Sequence, residues 1–108
     1  MPGEIIVLVT CPEGESDKIA QSLVDKKLAA CVNIISQVRS IYLFDGKIQS
    51  EAENLLVIKS TRAVWDLLKE HVKTVHSYDV PEIICLPIEA GYKPYLDWLD
   101  SSVGTEGS

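Results

Sequence analysis

The sequence predicts an α+β fold in which two strand–helix–strand units are joined by one long β-hairpin, with an extra helix at the C-terminal end. Three observations predict it. Asp45-Gly46 lies between two long β-rich runs, Leu28 to Phe44 and Lys47 to about Lys59, and Asp-Gly is a strong hairpin signal because both central turn residues need positive φ. An amphipathic helical stripe stands on each side of that hairpin. Beyond each stripe lies a short run of consecutive apolar residues, Ile5–Val9 and Ile83–Leu86. Strand, helix, hairpin, helix, strand is the order of the ferredoxin-like split βαβ sandwich, and right-handed crossovers put both helices on one face of the sheet. A doubly wound parallel sheet competes, but it needs a helical crossover where Asp45-Gly46 stands.

Taken in order, Met1–Glu4 is a short leader and Ile5–Thr10 a strand that Pro12 ends. Ser16 or Glu13 opens the first helix, whose stripe is Ile19, Ala20, Leu23, Val24 and Leu28. Lys26-Lys27 near its end suits the helix dipole. The first hairpin arm turns polar beyond Ser36-Gln37, which marks a bulge or bend with the tip projecting past the sheet. Ser60 or Thr61 can cap the second helix, which carries Val64, Trp65, Leu68, Val72 and Val75. A loop over 77–82 leads into the last strand. Pro94 suits the first turn of the final helix, Gly104 can end it, and 105–108 is expected to be a disordered tail.

A chain of 108 residues is expected to form one domain. Its net charge of −6 argues against a nucleic-acid partner and against docking on anionic membranes. The run Ile5–Val9 is too short for a signal-peptide core, and no stretch approaches the ~20 apolar residues of a membrane span. Cys11, Cys31 and Cys85 are odd in number and lack a Cys-x-x-Cys pair. They read as buried structural thiols in a reducing cytosol, with Cys11, at a strand end, the most open to reagents.

Two helices on one face leave the other face of the sheet uncovered. Yet Ile5–Val9, Val32–Ile35, Leu55–Ile58 and Ile83–Leu86 put apolar side chains on both faces. About eight would stand in water, and at roughly 1.5–3 kcal/mol each their burial rivals the net stability of about 5–15 kcal/mol for a domain. The sequence therefore predicts an obligate oligomer.

Motifs for catalysis are lacking: there is no phosphate-cradling glycine loop, no Gly-x-Ser-x-Gly and no His-Glu-x-x-His. Glu13 and Glu15 read as a solvated helix start. Asn33, polar in an apolar strand, reads as satisfying a neighbouring backbone group, and Lys59 as a polar group at a strand end that could face a cleft. His76, Tyr78 and Glu82 form the one constellation of interest. Imidazole and carboxylate within one loop can bind a divalent transition metal, and the same histidine is also explained as a surface residue favoured at a helix C-terminus.

Leu28-Ala29-Ala30-Cys31-Val32-Asn33, Ser40-Ile41-Tyr42, Gly46-Lys47, Val80-Pro81-Glu82-Ile83 and Tyr95-Leu96-Asp97-Trp98-Leu99 resemble the signature segments of the CutA divalent-cation tolerance family. The resemblance runs from about Ile5 to Val103. It implies a ferredoxin-like homotrimer with hairpins wrapping neighbours. It further implies a cytoplasmic, non-enzymatic protein of metal tolerance with no tightly bound cofactor, binding copper(II) or another divalent metal, and, as in eukaryotic relatives, a role with a protein partner. The family's copper ligands are a first-strand Cys, a His after the second helix and a Glu near the next strand. His76 and Glu82 align with the last two; Val9 occupies the first position, with Cys11 two places on, on the same strand face. The expected metal ligands are thus His76, Glu82 and Cys11. The family's His-Pro-Tyr is here His76-Ser77-Tyr78. Two other readings remain: a trimeric small-ligand sensor similar to PII proteins, which needs basic phosphate-binding groups, and an acylphosphatase-like enzyme, which needs an arginine-bearing loop where Cys11-Pro12-Glu13-Gly14-Glu15 stands.

Overall fold

Residues 3–104 are described by the structure, a computed structural model; the leader residues Met1 and Pro2 and the tail at 105–108 lie outside them. Strand β1 (Glu4–Cys11) leads through a 3-10 turn into helix α1 (Ser16–Asp25), and strands β2 (Cys31–Phe44) and β3 (Lys47–Thr61) form the hairpin. Helix α2 (Trp65–Val75), strand β4 (Ile83–Pro87) and helix α3 (Lys93–Ser102) complete the chain. The sheet order is β2-β3-β1-β4 with every neighbouring pair antiparallel. This is the ferredoxin-like arrangement, and it excludes the doubly wound parallel sheet.

Alternation along β1 sorts the two faces. Ile5, Val7 and Val9 are fully buried, together with Leu56 and Ile58 of β3, Ile19 and Leu23 of α1, and Leu68 and Val72 of α2. These form the core between sheet and helices. The intervening residues make the opposite face: Leu8 pairs with Val57 and Ile84, and Leu55 with Ile35. Helix α3 packs on β1 and β3, yet Ile35, Ile84 and Leu86 remain 44–46% exposed. The strands are therefore apolar on both faces but buried on only one within a single chain.

The hairpin turn is as expected, with φ of 52° at Asp45 and 74° at Gly46. A bulge interrupts β2 between Ile35 and Val38, and Gln37 there has φ 62°. Its N–H donates to Asn54 Oδ1 (3.3 Å), while Asn54 Nδ2 donates to Ser16 Oγ (2.8 Å) and Ser16 Oγ donates to the Glu13 carbonyl (3.1 Å). One buried asparagine thus ties the bulge to the start of α1.

Several local expectations are corrected. Neither Ser60 nor Thr61 caps the second helix: β3 runs on through Thr61, Ser60 Oγ donates to the Leu28 carbonyl (2.6 Å), and a 3-10 turn over Arg62–Val64 precedes α2. Helix α1 stops at Asp25, before Lys27, whose φ of 58° reverses the chain. Asn33 accepts a hydrogen bond from Lys59 Nζ rather than serving backbone. The cysteine order is also inverted. Cys11 is fully buried, whereas Cys31 and Cys85 are half-buried; Cys11 falls on the helix-facing side of β1, and Pro12 turns the chain without uncovering it.

Candidate functional site

The site forms where β1 ends and β3 continues. The last β1–β3 pair is Cys11 with Asn54, so residues 47–53 of the hairpin extend beyond β1. The loop between α2 and β4 lies against that extension. Ser77 N–H donates to Glu15 Oε1 (3.2 Å), and Tyr78 OH donates to Glu53 Oε2 (2.7 Å). Glu53 also accepts from Ser40 Oγ (2.6 Å). A cleft of about 900 Å³ opens here between the hairpin arms, Thr10 and the loop.

His76 and Glu82 meet at Thr10. His76 Nε2–H donates to the Thr10 carbonyl (2.8 Å), and His76 Nδ1 accepts from Tyr78 N–H (3.1 Å). The carbonyl can only accept and the amide can only donate, so the ring is the neutral Nε2–H tautomer. The His76 and Tyr78 rings lie 4.7 Å apart. Thr10 Oγ1 donates to Glu82 Oε1 (3.3 Å). Thr10 and Cys11 are neighbours on a strand, so their side chains point to opposite faces. Glu82 belongs with Thr10 on one face, and Cys11 looks into the core on the other. Burial first, then the charges of Glu15 and Glu53, push the Cys11 thiol up to about 11. The structure thus brings His76 and Glu82 to one residue and sets Cys11 apart from Glu82. Among the described residues, no three His, Cys, Asp or Glu side chains converge as a metal-holding group.

Sequence reasoning named Tyr78 but missed its partner. Glu53, Glu51 and Ser40 lie in the polar part of the hairpin, and only the register reveals that Ser40 pairs with Glu51 and Val38 with Glu53. The Tyr78 phenol is held well above its ordinary range by burial, then by its bond to Glu53. The Tyr42 phenol is raised by desolvation, then by Glu51. Lys59, the other polar candidate, does not line the cleft.

A family model described as CutA1 divalent ion tolerance protein matches residues 5–102. The chain belongs to this family. Its CutA relatives include the chloroplastic protein CutA 1 of Oryza sativa subsp. japonica, 50% identical over 91% of this chain and 56% of that protein. This chain therefore spans about half the length of that plant CutA. The divalent-cation tolerance protein CutA of Thermus thermophilus is 46% identical over 94% of this chain and 99% of the relative. The crystal structure of CutA1 from Oryza sativa superposes with a TM-score of 0.92 at 47% identity, covering 94% of each chain. No helix among the described residues is long and apolar enough to cross a membrane.

Proposed function

We propose that this CutA1-family chain is a cytoplasmic, non-catalytic homotrimer that binds divalent metal ions, copper(II) foremost, in the response to metal. The posture of His76 carries the metal reading. Its Nε2–H is fixed on a backbone carbonyl, as metal-bound histidines commonly are, and the lone pair on Nδ1 accepts a hydrogen bond from the Tyr78 amide. Turning one peptide frees that nitrogen, and Glu82 stands on the same residue, Thr10. Two ligands from one chain leave positions for water or a neighbouring subunit; Cys11 would first have to leave the core. Affinity is accordingly moderate, because binding breaks the Tyr78–His76 bond. Copper(II) favours imidazole and heads the divalent affinity order. A copper(II) titration of the full chain tests this: His76→Ala is expected to weaken binding by roughly tenfold or more and His71→Ala to leave it unchanged. The reverse pattern overturns the assignment.

The non-catalytic reading fits the serine–histidine contact seen among the described residues. Ser22 Oγ donates to the Ile19 carbonyl (3.0 Å) and so accepts from His71 Nε2–H (2.9 Å). The hydroxyl proton is committed to backbone, so His71 does not activate Ser22 as a nucleophile. The homotrimer is supported by the uncovered apolar face of the sheet. The second reading, a small-ligand sensor similar to PII proteins, is favoured by the volume of the cleft, but its acidic lining repels nucleotides; nucleotide titration separates the two.

A further inference from the structure

The cleft holds three acids that the metal reading, which takes only Glu82 from it, leaves unused. Glu51, Glu53, Asp79 and Glu82 line it, and no lysine, arginine or histidine does. None of the four forms an ion pair among the described residues. Glu53 is the deepest, at 5% exposed. Each of its oxygens accepts a bond from one hydroxyl, Ser40 or Tyr78, although a carboxylate accepts at about four positions. A charge so buried is normally paired with a cation. The rings of Tyr42 and Tyr78 stand among these acids.

Two observations choose the class of cation. The acids do not converge as a metal-holding group, and aromatic rings cannot ligate a metal but do attract organic cations. The volume of about 900 Å³ lies within the range of roughly 300–1,000 Å³ that small-molecule sites occupy. We propose that this cleft binds a small organic ammonium compound. Its N–H groups donate to the Glu53 and Glu51 carboxylates, and its alkyl part lies against Tyr42 and Tyr78. The inference needs neither proposed copper ligand: His76 does not line the cleft, and Glu82 lines it but is not one of the two carboxylates that pair with the ammonium.

Calorimetric titration of the full chain with 1,4-diaminobutane tests it, with 1,4-butanediol as the neutral isostere and magnesium chloride as a simple dication. Saturable binding of the diamine is expected, with no heat of binding from the diol. Glu53→Gln is expected to weaken the diamine by about tenfold or more, since it removes a charge-assisted pair. Glu51→Gln, at an exposed position, is expected to weaken it by a few-fold and decides the matter if the buried variant fails to fold. His71→Ala, whose ring bonds Ser22 in the helix layer, is expected to leave diamine affinity within about twofold. The proposal is overturned if the diol binds as well as the diamine. It is equally overturned if magnesium displaces the diamine at matched ionic strength, or if the folded glutamine variants bind like the parent.

Discussion

Thr10 shows how much one residue can organise. Its carbonyl accepts from His76, its hydroxyl donates to Glu82, and its neighbour Cys11 is turned to the other side of the strand. A thiol that is fully buried and pushed up to about 11 carries almost no thiolate near neutral pH. Native chain treated with a thiol reagent is therefore expected to leave Cys11 unmodified until it unfolds, read by peptide mass mapping; rapid labelling of Cys11 would contradict its placement. At this scale His76, Tyr78 and Glu82 were legible because they share one short loop. Glu53 was not, since its meaning depends on Tyr78, 25 residues away, and on a register that no local pattern encodes.

Elements meet through a few specific contacts, and two of these give measurable consequences. His71 on α2 reaches Ser22 on α1, and burial, then the nearby Lys26 charge, lowers its pKa from 6.5. Folding therefore disfavours the protonated ring. The stability this shift represents, which comes from burial and the Lys26 charge, is present above the unfolded value and is lost as pH falls toward the folded one. The thermal midpoint is expected to drop as pH falls below about 6.5, and His71→Gln to flatten that drop; an unchanged slope would remove His71 as its source. At the end of α3, Gly104 N–H donates to the Lys27 carbonyl (2.7 Å). A Cβ there would lie 2.6 Å from Val64 Cγ1, with φ at 23°. Gly104→Ala is expected to cost about 1–3 kcal/mol, measured by denaturant unfolding. The stripes of α1 and α2 were readable from periodicity. The second helix's cap was not, because Ser60 was taken by the Leu28 carbonyl, a tertiary contact that outranks a local one.

For the whole molecule, the question is what lies on the second face of the sheet. Ile84 is 45% exposed within one chain, so Ile84→Asp would cost a monomer only about 1–2 kcal/mol. In the proposed trimer the same change buries a charge against apolar neighbours. Light scattering is expected to give about three times the chain mass for the parent and a lower mass for Ile84→Asp. An unchanged mass in the variant would place the interface elsewhere. The topology and the open face were both legible, since strands apolar on consecutive positions need cover on two sides.

The spare residue at the bulge acts as a phase adjuster. Before it, the odd-numbered residues of β2 share a side with Leu55 and Val57; after it, the even-numbered ones share a side with Glu53 and Glu51. Deleting Gln37 would restore an ordinary ladder with Val38 still opposite Glu53 and Ser40 still opposite Glu51. The pairing around Glu51 and Glu53 would survive that edit. What would change is the heading of the hairpin tip, where Ile41, Leu43, Phe44 and Ile48 are exposed. A one-residue deletion can therefore steer the tip without rewriting the sheet, and it is expected to leave the circular dichroism of the chain intact while loosening its assembly.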